Sequence, residues 1–379
     1  MNAPIYLDYN ATTPVDPLVA DAIDPYLHQH FGNPSSTHVY GRNAHAAVER
    51  ARAQVAELIG AQVDEIVFTG CATEANNLAI RGAARALRDK GRHLITSAVE
   101  HPAVEQPFRR LADDGWEVTV IPVDEHGLVD PARLSTALRD DTVLVSIMHA
   151  NNEVGTIQPI EEISAITRPR GILLHTDAAQ SASKIPVSVN DLGVDLLSLA
   201  GHKFYATKGV GVLYVRRGTP LQPVLVGAGH EAGLRPGTEN VPAIAGMGEA
   251  ARIASERQSG HTQQLRQLRD QLHTRLAEAI PGLVLNGHPE QRLPNTLNIS
   301  FPDVDGRDLL VHAAAEVAAS VGSACHEESD AVSGVLGAMG IETERARGAV
   351  RLSIGTPTTD TEIERAAKAL ISAWQANVK

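Results

Sequence analysis

Short apolar runs alternate with stretches of helical spacing along the first two thirds of the chain. Residues 65–69, 93–97, 117–123, 143–147, 171–176, 194–199 and 210–215 are rich in Val, Ile and Leu and read as strands. Residues 76–90, 102–114, 131–139 and 160–166 lie between them and read as helices. Such alternation predicts an α/β layer built on a mainly parallel, seven-stranded sheet. The pattern changes near Gly246. Residues 241–280 are largely helical, and Leu265, Leu268, Leu272 and Leu276 form one apolar stripe. A strand at 296–301, a helix at 309–318 and a closing helix at 361–375 complete a smaller α+β unit. The expected boundary between the two lies near residue 255.

Composition narrows the function classes. The 379 residues are 43% hydrophobic and 21% charged, which fits a folded globular chain. The net charge of −12 argues against a duplex-DNA or anionic-membrane binder, because phosphate binding needs a cationic face. Cys71 and Cys325 are the two cysteines, too few and too far apart for a disulfide framework or a zinc site. No basic n-region with an apolar core opens the sequence, and no uncharged apolar run reaches the roughly 18 residues of a membrane span. The expectation is a cytoplasmic protein.

In a parallel sheet, ligands gather at the carboxyl ends of the strands. Four strand ends or loops carry polar residues of interest. Residues 68–77 run from a strand through a Gly-containing turn into a helix, whose first N–H groups suit a phosphate; a plain turn capped by Thr73 is the simpler alternative. Asp177 ends an apolar strand and serves either as a helix N-cap or as counter-ion to a protonated heterocycle. Lys203 follows the next strand, where desolvation would make it a useful nucleophilic amine; taken alone, an ordinary solvated surface lysine is the simpler reading. Cys325 sits in a Gly/Ser/Ala/Glu/Asp stretch, which suggests an accessible thiol on a loop rather than a buried structural one. Together, an Asp for a pyridinium nitrogen and a Schiff-base lysine are the equipment of a pyridoxal-phosphate enzyme.

On these residues the sequence resembles the cysteine desulfurases of the NifS/IscS-like branch, within the fold-type I pyridoxal-phosphate transferases. The matching motifs run in the family's order over essentially the whole chain. They include Tyr6 to Thr13, Gly32 to Ser36, Ala72-Thr-Glu74, Glu100-His101, His149 to Glu153, Asp177-Ala-Ala-Gln180, Gly201-His-Lys203, Arg235-Pro-Gly-Thr238, Leu293 to Ser300, Gly322-Ser-Ala-Cys325 and Arg351-Leu-Ser353. The resemblance implies that Lys203 holds the cofactor, Asp177 pairs with the ring nitrogen, Gln180 bonds the 3′-oxygen and His101 stacks on the ring. Ala72, Thr73 and His202 would hold the phosphate, with Thr238 contributed by the second subunit of a homodimer. Asn152 and Arg351 would bind the substrate carboxylate, with Asn10 and Ala11 near it. Residues 1–15 would pack on the small domain, 16–255 would form the large cofactor-binding domain, and 256–379 the small domain with the cysteine loop.

The implied reaction converts L-cysteine to L-alanine and leaves the sulfur on Cys325 as a persulfide. Catalysis would rest on Cys325, Lys203 and His101, with the sulfur passing to an acceptor protein. No metal and no direct nucleic-acid contact are expected. The sequence departs from the family in two places. Ala200 stands where a phosphate-binding serine is common, and the turn reads Gly70-Cys-Ala-Thr73 in place of Ser-Gly-Ala-Thr. A selenocysteine lyase, a desulfurase dedicated to DNA phosphorothioation or tRNA thiolation, an ordinary transaminase and a non-catalytic assembly scaffold are the competing readings.

Overall fold

The computed structural model describes residues 3–322 and 333–378, with the side chains of 258–259 left aside. Among them the strands are β1 (Ile5–Tyr6), β2 (Ile66–Thr69), β3 (His93–Ser97), β4 (Glu117–Ile121), β5 (Thr142–Ser146), β6 (Leu173–Asp177), β7 (Leu196–Ala200), β8 (Gly211–Val215), β9 (Val284–Asn286), β10 (Thr296–Ser300), β11 (Val317–Ala318) and β12 (Ala349–Ser353). The seven apolar runs of the first two thirds are β2 to β8. They form one seven-stranded sheet in the order β2-β8-β7-β6-β5-β3-β4. Pairing is parallel from β7 to β4, and β8 alone runs against its neighbours.

Every residue of β2, β3, β5 and β7 is buried, as expected of strands covered on both faces by helices. The edge strand β4 is half open, and its Val120 is exposed. Because β2, β3, β6 and β7 share one direction, the turns after Thr69, Ser97, Asp177 and Ala200 all emerge on the same edge. That edge is where the site forms.

A second layer packs beside this one. β9, β10 and β12 make an antiparallel sheet in the order β12-β10-β9. It is covered by the helices Gly306–Ala313 and Asp360–Asn377. β1 pairs in parallel with β11, which places Ile5 and Leu7 in this second core. The 39-residue helix Val241–Ala279 serves both cores. Val241 to Ile253 face the first, and the stripe Leu265, Leu268, Leu272 and Leu276 faces the second.

Two sequence expectations change. The helix expected at 76–90 starts at Ala72, capped by Cys71 and not by Thr73: the Cys71 backbone is extended and its Sγ accepts from Glu74 N at 3.4 Å. The helix expected at 309–318 ends at Ala313, and Val317–Ala318 form β11 instead, drawn out by pairing with β1. Among the described residues no helix is long and apolar enough to cross a membrane.

Leu272 has no exposed surface. Leu272→Ala is expected to cost about 2–5 kcal/mol through lost burial and the cavity left behind. The check is the urea unfolding midpoint at unchanged slope; a loss below about 1 kcal/mol would mean that this helix face is not packed.

Candidate active site

Asp177 is the last residue of β6 and is 6% exposed. Its Oδ1 accepts from Ala179 N at 2.9 Å within a turn, and its Oδ2 accepts from Asn76 Nδ2 at 2.7 Å. The next helix begins only at Val189 and is capped by Ser188, so Asp177 is not the helix N-cap that its sequence position also allowed. Asn76 lies on the Ala72–Ala86 helix, buried, with its own Oδ1 unpartnered among the described residues. The carboxylate is therefore oriented by two donors before any ligand arrives.

Lys203 closes a single 3₁₀ turn after β7. Its Nζ donates to the carbonyls of Asn10, at 2.6 Å, and Ala11, at 2.8 Å. Gln180, three residues after Asp177, donates from Nε2 to the same Asn10 oxygen at 2.9 Å. The Asn10 side chain reaches Asn152 O, Thr296 and Asn295. Asn10 thus joins both layers of the protein at the amine. The resemblance implied that Asn10 and Ala11 lie near the substrate carboxylate; their carbonyls here sit on Lys203.

His101 caps the Pro102–Asp113 helix, its Nδ1 accepting from Ala103 N at 3.0 Å. That bond commits Nδ1 as an acceptor, so a neutral ring carries its proton on Nε2. Burial lowers the ring's proton affinity; Asp177 opposes that shift and Lys203 adds to it. His101 is therefore within the field of both strand-end residues. His202 Nδ1 meets Thr12 Oγ1 at 3.1 Å. Burial first, then the charge of Lys203, pushes His202 down to about 4, so it is neutral at physiological pH.

Ala72 and Thr73 open their helix, where backbone N–H groups have no intrahelical acceptor. Gly211 of β8 presses under this turn: a Cβ there would lie 2.5 Å from the Cys71 carbonyl carbon. Gly70 N donates to Glu74, and Arg235 Nε donates to the same carboxylate at 2.8 Å. Thr238, three residues after Arg235, is exposed, and no hydrogen bond ties it to the Lys203 cluster among the described residues. Ala200, the last residue of β7, is buried and brings no hydroxyl.

Arg351 comes from the middle of β12 in the second layer and is 2% exposed. Nη2 pairs with Asp8 Oδ1 at 2.7 Å, Nη1 donates to Asn152 O at 3.1 Å, and Nε has no partner among the described residues. Cys325 lies outside the described residues. Its described flanks meet at one carboxylate: Ser333 Oγ donates to Glu153 Oε2, and a Cβ on Gly322 would lie 3.3 Å from the same atom. Glu153 follows Asn152 directly.

The donor set suits pyridoxal phosphate. There is an amine at one strand end, an oriented carboxylate at the next, a histidine within the field of both, and helix N–H groups without an intrahelical acceptor at a third strand end. Comparison with known proteins agrees. The aminotransferase class-V family model matches residues 5–366. The chain belongs to the aminotransferase class-V family. The cysteine desulfurase IscS of Dictyoglomus turgidum is 48% identical over 364 residues, 96% of this chain and 92% of that protein. A solved NifS-like protein superposes with a TM-score of 0.92 at 38% identity, covering 97% of this chain and 98% of that one. SspA in complex with cysteine gives a TM-score of 0.82 at 37% identity, covering 92% and 98%. Such class-V enzymes depend on pyridoxal phosphate.

Two groups of this class-V site were given no role by sequence reasoning. Glu100 was noted only as part of a motif. Its Oε1 accepts from Ser97 Oγ and Met148 N, its Oε2 has no partner among the described residues, and burial pushes its carboxyl up to about 8. Lys184 lies beneath Gln180, and nothing in its sequence context marks it.

A raised carboxyl binds a proton in the folded chain that the unfolded chain has lost. Its stabilisation is complete below the unfolded pKa and disappears as pH rises through about 8. His202 acts in the opposite direction, but only below its ordinary value of 6.5. Between pH 6.5 and 8 the Glu100 effect should therefore dominate this pair, with a loss of roughly 2 kcal/mol. Glu100→Gln is expected to remove this downward contribution, so that its Tm falls less, or rises more, than the parent's over that interval, while the opposing rise from Lys184 above about pH 7 is common to both. A parent curve already as flat as the variant's would mean that Glu100 is ionised in the fold.

Proposed function

We infer that this chain is a pyridoxal-phosphate-dependent cysteine desulfurase, which releases L-alanine from L-cysteine and passes the sulfur to an acceptor protein. The observation that carries the reading is the convergence of Lys203, Asp177 and His101 on one sheet edge, with the buried guanidinium of Arg351 reaching in from the other layer. When bound, the cofactor supplies an electron sink for the charge that develops at the substrate Cα.

The chain's own residues do the rest. Lys203 Nζ is the amine that would hold the cofactor, and after the substrate amine displaces it, the base that takes the Cα proton. Asp177, held by Asn76 and Ala179, would keep the ring nitrogen protonated. Neutral His202 and the N–H groups of Ala72 and Thr73 would receive the phosphate. Arg351 offers a planar fork to the substrate carboxylate, beside Asn152. His101, with Nδ1 committed to its helix, offers Nε2 for proton return. The Cys325 thiolate would take the substrate Sγ, forming the S–S bond of a persulfide as the C–S bond breaks. The meeting of Gly322 and Ser333 at Glu153 supports delivery of that thiol to this side of the site.

We also propose a cytoplasmic homodimer in which Thr238 completes the partner's phosphate site. The exposed, stacked rings of Phe31 and Tyr40 and the bare side chains of Leu225 and Val226 support an apolar face for a second copy.

The test is a single turnover with L-cysteine, followed by intact-mass and peptide analysis. One added sulfur on Cys325 is expected in the parent and none in Cys325→Ser, while Lys203→Ala releases no alanine. Borohydride reduction is expected to mark Lys203. Sulfur on Cys71, or steady alanine production by the serine variant, would defeat the persulfide assignment.

A further inference from the structure

Lys184 is a buried cation that the mechanism above does not use. It is 5% exposed and follows Ser183, whose φ of 72° places a non-glycine residue in the left-handed region. That turn sends the lysine back over its own segment. Nζ donates to Gln180 O at 3.0 Å and to Gln180 Oε1 at 2.9 Å. Thr262, on the Val241–Ala279 helix, donates to Lys184 O at 2.8 Å and pins the backbone. Among the described residues no carboxylate forms an ion pair with Lys184. The charged and titratable groups that face it are Lys203, Arg351, His202 and His261. Burial, then the charges of Lys203 and Arg351, lower its proton affinity to about 7.

An aliphatic side chain would fill this space without the cost of burying an amine. The amine does something an aliphatic group cannot. Charged, it has only donors; neutral, it still has N–H bonds for both Gln180 acceptors. The amide oxygen of Gln180 faces Lys184 at 2.9 Å, and a charged Nζ, which has no lone pair, repels the opposite amide orientation. Its Nε2 must face the other way, where Asn10 O accepts at 2.9 Å and Lys203 lies on the same carbonyl.

We propose that Lys184 is a positioning residue: it locks the Gln180 amide so that Nε2 is presented to the 3′-oxygen of the cofactor ring. This rests on the reading that Gln180 serves that oxygen. A donor there favours the anionic oxygen, so it lowers the pH at which the visible absorption of the holoenzyme changes. Without the lock the amide can turn, the donor weakens, and the midpoint rises.

The experiment is a pH titration of the visible band of purified holoenzyme for the parent, Lys184→Met, Gln180→Ala and the double variant. Each single change is expected to raise the midpoint by about half a unit or more. The double variant is expected to go no higher than Gln180→Ala alone, since both act through one amide. Lys184→Ala carries the same expectation if the methionine variant does not fold. A parent-like midpoint in the Lys184 variants, with a raised one in Gln180→Ala, would overturn the proposal. So would additive shifts in the double variant. No shift in any variant would instead remove Gln180 from the cofactor oxygen, and the underlying assignment with it.

Discussion

The carbonyl oxygen of Asn10 accepts from Lys203 Nζ and from Gln180 Nε2, and the site is organised around that shared acceptor. A carbonyl has two lone pairs, and here both are spent on groups from strand ends that neighbour each other in the sheet. The Asn10 side chain meanwhile reaches Asn152, Thr296 and Asn295. One residue of an extended segment thus sets the spacing between the amine, the amide and the second layer. The α/β sheet supplies the direction of approach; Asn10 supplies the contact.

Buried positive charge is the cost of this arrangement. Lys184 is buried within the field of Lys203 and Arg351, and Arg351 in turn pairs with Asp8. The Lys184 amine is met by the backbone and side-chain oxygens of Gln180. A region of this kind is unfavourable for an uncharged ligand and favourable for one that brings a phosphate and a carboxylate.

The strands of the large sheet were legible because each is a short apolar run, and most of their bounds agree within a residue or two. Asp177 and Lys203 stood out only as a pair: each alone has an ordinary reading, a cap or a surface lysine, but a carboxylate and an amine ending consecutive apolar strands point to one chemistry. Other features carried no such mark. The pairing of β1 with β11 depends on residues over three hundred positions apart, and neither strand is longer than two residues. Cys71 as a helix cap runs against the usual preference for Ser, Thr, Asp and Asn. Lys184 is followed by Ile and preceded by small residues, so only its burial and its bonds to Gln180 distinguish it. Long-range pairing and burial decide these cases, and neither is encoded in local pattern.

The closure of the site by residues 8–10 and 351–353 has a consequence for how the protein is made. Asn10 N donates to Ser353 Oγ, and Asp8 pairs with Arg351, across 343 positions of sequence. At roughly 5–20 residues per second, a ribosome needs on the order of tens of seconds to supply the second partner after the first has emerged. During that time the large sheet can form with its strand-end turns in place, while Asp8 and Asn10 wait without their partners. A nascent chain can therefore present Lys203 and the helix start at Ala72 and Thr73 before it can present Arg351. On the roles proposed above for these residues, synthesis order alone would let cofactor capture precede substrate recognition.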